Sequence, residues 1–287
     1  MSLRPPSSRY RLSWKIFSQK DNGSWCLNVW PYYAELFEMI YPKLMAKSNT
    51  GFRDSSSGKT KYAFFKDLDE GEVSAIERFL SHYGRSVCLS ANAHIAEHFS
   101  DELDFCLALD FNKPSPKEDR TQIGEWEYQA KYHQDKEALA ALTKAMVAAV
   151  RSLPLRKVPK PRLISYVPCE ADREFYLPAE LAAGIVAALP TTFWGVDRPV
   201  VKSTLLVEKS SAKNLTVAEK IAQWEAISTG EGIALSRSVR GCSVIVVDDL
   251  YQSGASLWFF GKYLKDLGAT VVVGLACVKS LRDTDNK

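Results

Sequence analysis

No stretch of this chain approaches eighteen consecutive apolar residues, so no membrane-spanning helix is expected. Its opening residues, MSLRPPSSRY, contain no apolar core of the kind a secretory signal needs, and the expectation is a soluble, cytoplasmic protein. No C-x-x-C pair occurs. Cys26, Cys88, Cys106, Cys169, Cys242 and Cys277 are scattered, which fits reduced thiols better than a disulfide frame or a zinc ribbon. A formal net charge of +3 over 287 residues is too small to argue for nucleic acid by itself. A nucleotide-binding P-loop is absent too. Gly58-Lys59-Thr60 has the tail of one, but the required first glycine falls at Arg53 and no apolar strand leads in, so a solvated turn is expected. His94 and His98 share a helical face at metal-compatible spacing, yet no third ligand accompanies them, and ordinary surface histidines are the simpler reading.

What the chain does contain is residues 244–257, VIVVDDLYQSGASL. Val244, Ile245, Val246 and Val247 form a continuous apolar run, the pattern of a strand buried on both faces of a parallel sheet. Such sheets bind ligands at the carboxyl ends of their strands. There Asp248 and Asp249 are followed by a small polar turn and by Leu257, Phe260 and Leu264 at helical spacing. The turn offers backbone N–H groups, hydroxyls and the positive end of a helix, which suit a phosphate. The two carboxylates repel a phosphate; as pure acceptors they suit the vicinal hydroxyls of a ribose.

Around this stretch the chain reads as α/β. Strands are expected near residues 11–17 and 25–30, joined by a Lys20-Asp21-Asn22-Gly23 turn, and at 62–65, 86–89 and 105–111. Helices are expected at 32–45, ended or kinked by Pro42, and at 72–82 and 91–99. The charged, proline-bearing residues 113–121 set the expected boundary between an N-terminal α+β unit (1–112) and a second domain (122–287). In that second part, helices at 124–132, 136–150 and 178–189 accompany strands at 162–167, 200–207, 244–248 and 270–276. Thr216 and Glu219 form a capping-box pattern, and Gly268 sits where the helix after the acidic pair should stop. Strand–helix alternation from residue 162 calls for a parallel sheet with helical crossovers.

The central stretch resembles the signature of type I phosphoribosyltransferases: an apolar strand, Asp-Asp, two residues, then Thr-Thr-Gly-Ala/Gly-Thr. It agrees at the strand, Asp248, Asp249, Gly254 and Ala255; Ser253 and Ser256 keep threonine's hydroxyl, and Gln252 replaces the first threonine. An Asp pair ending a buried strand in some other doubly wound protein is the plainer alternative. Gln129-Ala130-Lys131-Tyr132, Val167-Pro168 and the signature together look most like the competence-associated ComF-like branch. Three features depart from that branch. Its four-cysteine ribbon is missing, Glu170, Asp172 and Glu174 surround the single Arg173 where basic residues serve a pyrophosphate, and Gln252 alters the phosphate turn.

The resemblance implies a type I phosphoribosyltransferase-like parallel sheet flanked by helices, behind the N-terminal α+β unit. It implies phosphoribosyl pyrophosphate, a ribose 5-phosphate or a nucleotide as ligand, with Mg2+ accompanying any pyrophosphate. Asp248 and Asp249 would hold the ribose and face the developing cation of a phosphoribosyl transfer. Gln252, Ser253, Gly254, Ala255 and Ser256 would hold the 5′-phosphate; Arg173, Lys209 and Lys213 would serve the pyrophosphate, with no metal ligand assigned to the chain itself. The alternative it leaves open is a catalytically silent subunit. Such a subunit would act through protein partners, engaged by the N-terminal unit, in a bacterial DNA-uptake or antiphage (retron-type) complex, where any nucleic-acid role is indirect.

Overall fold

The computed structural model describes residues 15–84, 86–89, 103–113, 118–153, 155, 158–208, 215–229 and 231–280. The expected helix at 91–99, with His94 and His98, lies outside the described residues. The chain opens with the antiparallel hairpin β1 (Lys15–Gln19) and β2 (Trp25–Val29), turned at Gly23 with φ of 77°. Helix α1 (Pro31–Ile40) ends two residues before Pro42, with Tyr41 as its C-cap, and the short α2 (Pro42–Met45) follows. Pro42 has no N–H to continue the first helix, so it starts the second. Strands β3 (Arg53–Asp54) and β4 (Lys61–Phe65) complete a four-stranded antiparallel sheet ordered β1-β2-β4-β3. Gly58-Lys59-Thr60 lies in the β3–β4 turn, where Gly58 has φ of 67°. Helix α3 (Glu70–Tyr83) starts with a capping box: Glu72 N–H donates to Asp69 Oδ1 and Asp69 N–H donates to Glu72 Oε2.

Strands β5 (Val87–Cys88) and β6 (Phe105–Phe111) follow. Next come α4 (Gln122–His133), capped by the Thr121 hydroxyl, and α5 (Lys136–Ser152), capped by Asp135. Then β7 (Arg162–Tyr166), β8 (Cys169–Glu170), α6 (Leu177–Ala188), α7 (Thr191–Trp194) and β9 (Ser203–Leu205) lead to α8 (Val217–Thr229). The expected capping box is formed there, with Thr216 N–H donating to Glu219 Oε2 at 2.7 Å and Glu219 N–H to the Thr216 hydroxyl at 3.3 Å. The chain closes with β10 (Ile233–Leu235), β11 (Ser243–Tyr251), α9 (Ala255–Asp266) and β12 (Val271–Lys279). Gly268, at φ of 91°, ends α9 as expected.

A five-stranded sheet, ordered β5-β6-β12-β11-β7, organises the molecule. All its pairs are parallel except the short edge pair of β5 with β6. β11 lies inside it, between β12 and β7. Its residues alternate between two cores. Ile245 and Val247 face one that includes Met146 of α5 and Leu181 of α6, whereas Val244 and Val246 face another with Trp224 of α8 and Phe260 of α9. Each fully buried Val or Ile contributes about 1.5–3 kcal/mol of transfer free energy, which explains why this strand is apolar throughout and not alternating. The molecule is therefore α/β, with helices on both faces of a mainly parallel sheet.

Two elements sit differently from expectation. β6 precedes the boundary expected at residues 113–121, yet it pairs with β12 from Phe105 to Phe111. Residues 200–207 do not form one more full strand of the central sheet. Val200 makes a single parallel bridge to Ile164, and Ser203–Leu205 joins a separate three-stranded sheet ordered β10-β9-β8. The Ser165 hydroxyl donates to Val201 O and the Ser203 hydroxyl to Tyr166 O, ties that hold the departing segment against β7.

Candidate functional site

A cleft of about 460 Å³ opens at the carboxyl end of the parallel strands. β11 supplies Asp248 and Asp249, and the turn after it supplies Gln252, Ser253 and Gly254. The first turn of α9 supplies Ala255, Ser256 and Leu257. Val167, Pro168, Cys169, Glu170, Arg173 and Tyr176 form the wall from the β7 side, and Lys131 and Lys220 reach in from α4 and α8.

The turn depends on Gly254. It stands at φ of 89° as the N-cap of α9, a conformation L side chains resist, and a Cβ there would run into the Tyr251 phenol. Gly254 has no side chain to cap the helix, and the first-turn amide of Ala255 donates to Ser253 Oγ at 3.4 Å, a hydroxyl that itself lines the cleft. Ser256 Oγ accepts from Trp224 Nε1 at 3.2 Å. Behind the turn, Tyr251 OH accepts from Trp258 Nε1 at 3.0 Å, and the buried Lys279 donates to Gln252 O at 3.1 Å. The turn is thus held from below by side chains of β11, α9 and β12.

At the acidic pair, Asp249 N–H donates to Asp248 Oδ1 at 2.9 Å. Lys131 Nζ lies 2.9 Å from Asp249 Oδ2 and 3.7 Å from Glu127 Oε1. Burial lowers the Lys131 pKa, but the charge of Asp249 and its hydrogen bond outweigh burial, with Glu127 adding to them, and the net shift is upward. The ammonium is therefore a fixed positive charge beside Asp249. Glu127 is only 5% exposed. Burial pushes its carboxyl up to about 7; Lys131 opposes that shift and Asp249 adds to it. Burial also pushes the Tyr176 phenol well up, with Asp248 and Asp249 contributing, and its OH donates to Val167 O at 3.0 Å.

The cleft brings together Asp248, Asp249, Gln252, Ser253, Gly254, Ala255, Ser256 and Arg173. Arg173 is tied back: its Nε donates to Phe175 O at 3.2 Å and its guanidinium lies 4.9 Å from the centre of the Tyr176 ring. Lys209 and Lys213 lie outside the described residues. Lys131, Glu127 and Lys220 were not among the expected site residues. Lys131 stands within the Gln129-Ala130-Lys131-Tyr132 stretch, and its i,i+4 relation to Glu127 on a half-buried helix was the available signal.

No family model matches the chain, and no curated protein matches it in sequence. It is similar to solved hypoxanthine-type phosphoribosyltransferase structures. One is a hypoxanthine-guanine phosphoribosyltransferase from Bacillus anthracis, at 13% identity over 52% of this chain and 73% of that one, with a TM-score of 0.32. Another is a hypoxanthine phosphoribosyltransferase from Staphylococcus aureus, at 10% identity over 53% and 69%, with a TM-score of 0.34. A third is the Trypanosoma cruzi hypoxanthine phosphoribosyltransferase, at 12% identity over 53% and 69%, with a TM-score of 0.34. At that distance function has to be argued from the cleft itself.

Proposed function

We propose that the cleft binds a ribose 5-phosphate group, free or as part of phosphoribosyl pyrophosphate or a nucleotide. One observation carries the reading: an acidic pair at the end of an interior parallel strand and a glycine-started helix N-terminus line the same small cleft. In this reading the amides and hydroxyls of residues 252–256 take the phosphate, and Asp248 and Asp249 accept from the ribose hydroxyls. Phosphoribosyl transfer would use the same carboxylates as negative potential beneath the cation that develops at C1′. The residues from 122 onward carry the likeness to the ComF-like branch.

A magnesium ion held by the chain does not fit these residues. Among the described residues no three His, Cys, Asp or Glu side chains form a metal-holding group, and Asp249 is engaged by Lys131. Any magnesium would come with a pyrophosphate ligand.

A second reading is favoured by Glu170, which lines the cleft near Arg173 where a pyrophosphate would meet its charge. Here the protein binds a ribose phosphate without transferring it and acts in the cytoplasm through protein partners. Calorimetric titration with ribose 5-phosphate tests the common part. Two charge-assisted bonds of about 1.5–3 kcal/mol each are at stake, so Asp248→Asn/Asp249→Asn should bind roughly 10²–10⁴-fold more weakly. Equal binding by wild type and variant would refute the site; release of pyrophosphate from phosphoribosyl pyrophosphate separates the two readings.

A further inference from the structure

The acidic pair meets a cation of the protein's own. We propose that Lys131 is the resident counter-ion of the site, standing where a divalent cation would otherwise be needed, so that the cleft takes ribose phosphates without metal. The inference rests on the ribose-phosphate reading and goes one step past it, to the ionic form of the ligand.

The geometry supports this in three ways. Lys131 reaches Asp249 at hydrogen-bonding distance, and it is itself a lining residue of the cleft. An ammonium has three donors. Asp249 takes one, and Glu127 lies behind the group as a second carboxylate, so the lysine is braced between two elements rather than waving from the surface. The lysine also stands in the last turn of α4, where the carbonyl ends of the helix favour a positive charge. A divalent cation at Asp249 would have to displace this ammonium or sit beside it, and like charges at such distances repel strongly in a half-buried site. Conversely, without the lysine a phosphorylated ligand would meet the carboxylates of Asp248, Asp249 and Glu170 with only Arg173 and Lys220 left as lining cations.

The experiment compares wild type with Lys131→Met, which keeps the length of the stem and removes the charge. Each is titrated with ribose 5-phosphate, once in EDTA and once in excess Mg2+. Wild-type affinity should agree within about threefold between the two conditions. The variant should bind at least tenfold more weakly in EDTA and recover tenfold or more with Mg2+. A wild type that needs Mg2+, or a variant that binds like wild type in EDTA, overturns the proposal. Mn2+ titration of the ligand-free proteins, read by electron paramagnetic resonance, provides an arm that does not depend on the ligand. There Lys131→Met should bind Mn2+ at least tenfold more tightly than wild type, and no change overturns the proposal. If wild type binds no ribose phosphate, the functional reading fails while the Mn2+ arm still decides the role of Lys131. Should Lys131→Met fold poorly because Glu127 is left facing Asp249, Glu127→Gln/Lys131→Met removes that conflict and undergoes the same titrations.

Discussion

Glu127 shows how a single buried carboxyl ties the site to stability. Its folded pKa of about 7 stands above the ordinary value of 4.5 because burial disfavours the charged form. Between those values the folded chain holds a proton that the unfolded chain has released. Stability from this group is therefore intact below about pH 4.5, falls as pH rises through the window, and is level again above about pH 7. A glutamine amide at the same position has no proton to lose. Urea unfolding of Glu127→Gln beside wild type should show the variant gaining about 2–3 kcal/mol relative to wild type between about pH 5 and pH 8. A pH-independent difference would mean that the carboxyl titrates normally. Residues of this kind were the hardest to read from sequence. Asp248 and Asp249 announce themselves because they are adjacent and end an apolar run. Glu127 and Lys131 acquire meaning only through Asp249, far along the chain, and Lys220 only through the packing of α8 beside the turn. A lone charge on a helix otherwise reads as a solvated face.

At the scale of elements, local pattern was informative wherever the partner environment was uniform. β11 was legible because both faces of an interior parallel strand are apolar, and the capping pair Thr216–Glu219 and the stop at Gly268 are written in a few residues. The fate of residues 200–207 was not. Ser203–Leu205 pairs with two strands of two and three residues, too short to announce themselves, while Ser165 and Ser203 hydrogen bonds tie the same segment to β7. β6 carried a clue that was open to reading: Phe105–Phe111 is nearly continuous in apolar residues, as β11 is, and six of its seven residues are buried. Close packing between α9 and the sheet gives a further test. Gly274 lies in β12, where a Cβ would stand 2.8 Å from Cys106 Sγ and 2.9 Å from Leu257 Cδ2. Gly274→Val would have to push β6 or α9 away, and overpacking of this kind costs about 1–3 kcal/mol. Thermal unfolding should register that loss, whereas an unchanged melting temperature would show slack at this contact.

For the whole molecule, the question is whether residues before and after 113–121 are separable. The composition of that stretch argues for a linker, and the chain on either side of it is pinned: the Thr121 hydroxyl donates to Phe111 O at 2.6 Å and Thr121 N–H to Asn112 O at 2.9 Å. More decisively, β6 comes from the N-terminal side and covers one edge of β12, whose other edge pairs with the site-bearing β11. One core is shared as well. Phe37 and Phe79 belong to the same buried cluster as Met146 and Val150, and Tyr83 OH donates to Ser152 O at 3.1 Å. A protease that cuts within 113–121 should therefore leave two pieces that co-elute on size exclusion and melt in one transition. Expressed alone, the C-terminal piece would present β12 as a bare edge along a strand of buried residues, an arrangement prone to edge-to-edge pairing and aggregation. It should be recovered insoluble, or soluble only when the N-terminal piece is supplied in trans. If instead it stays monomeric, melts cooperatively at the temperature of the full chain and binds ribose 5-phosphate, then β6 is an accessory strand and the site belongs to the C-terminal piece alone.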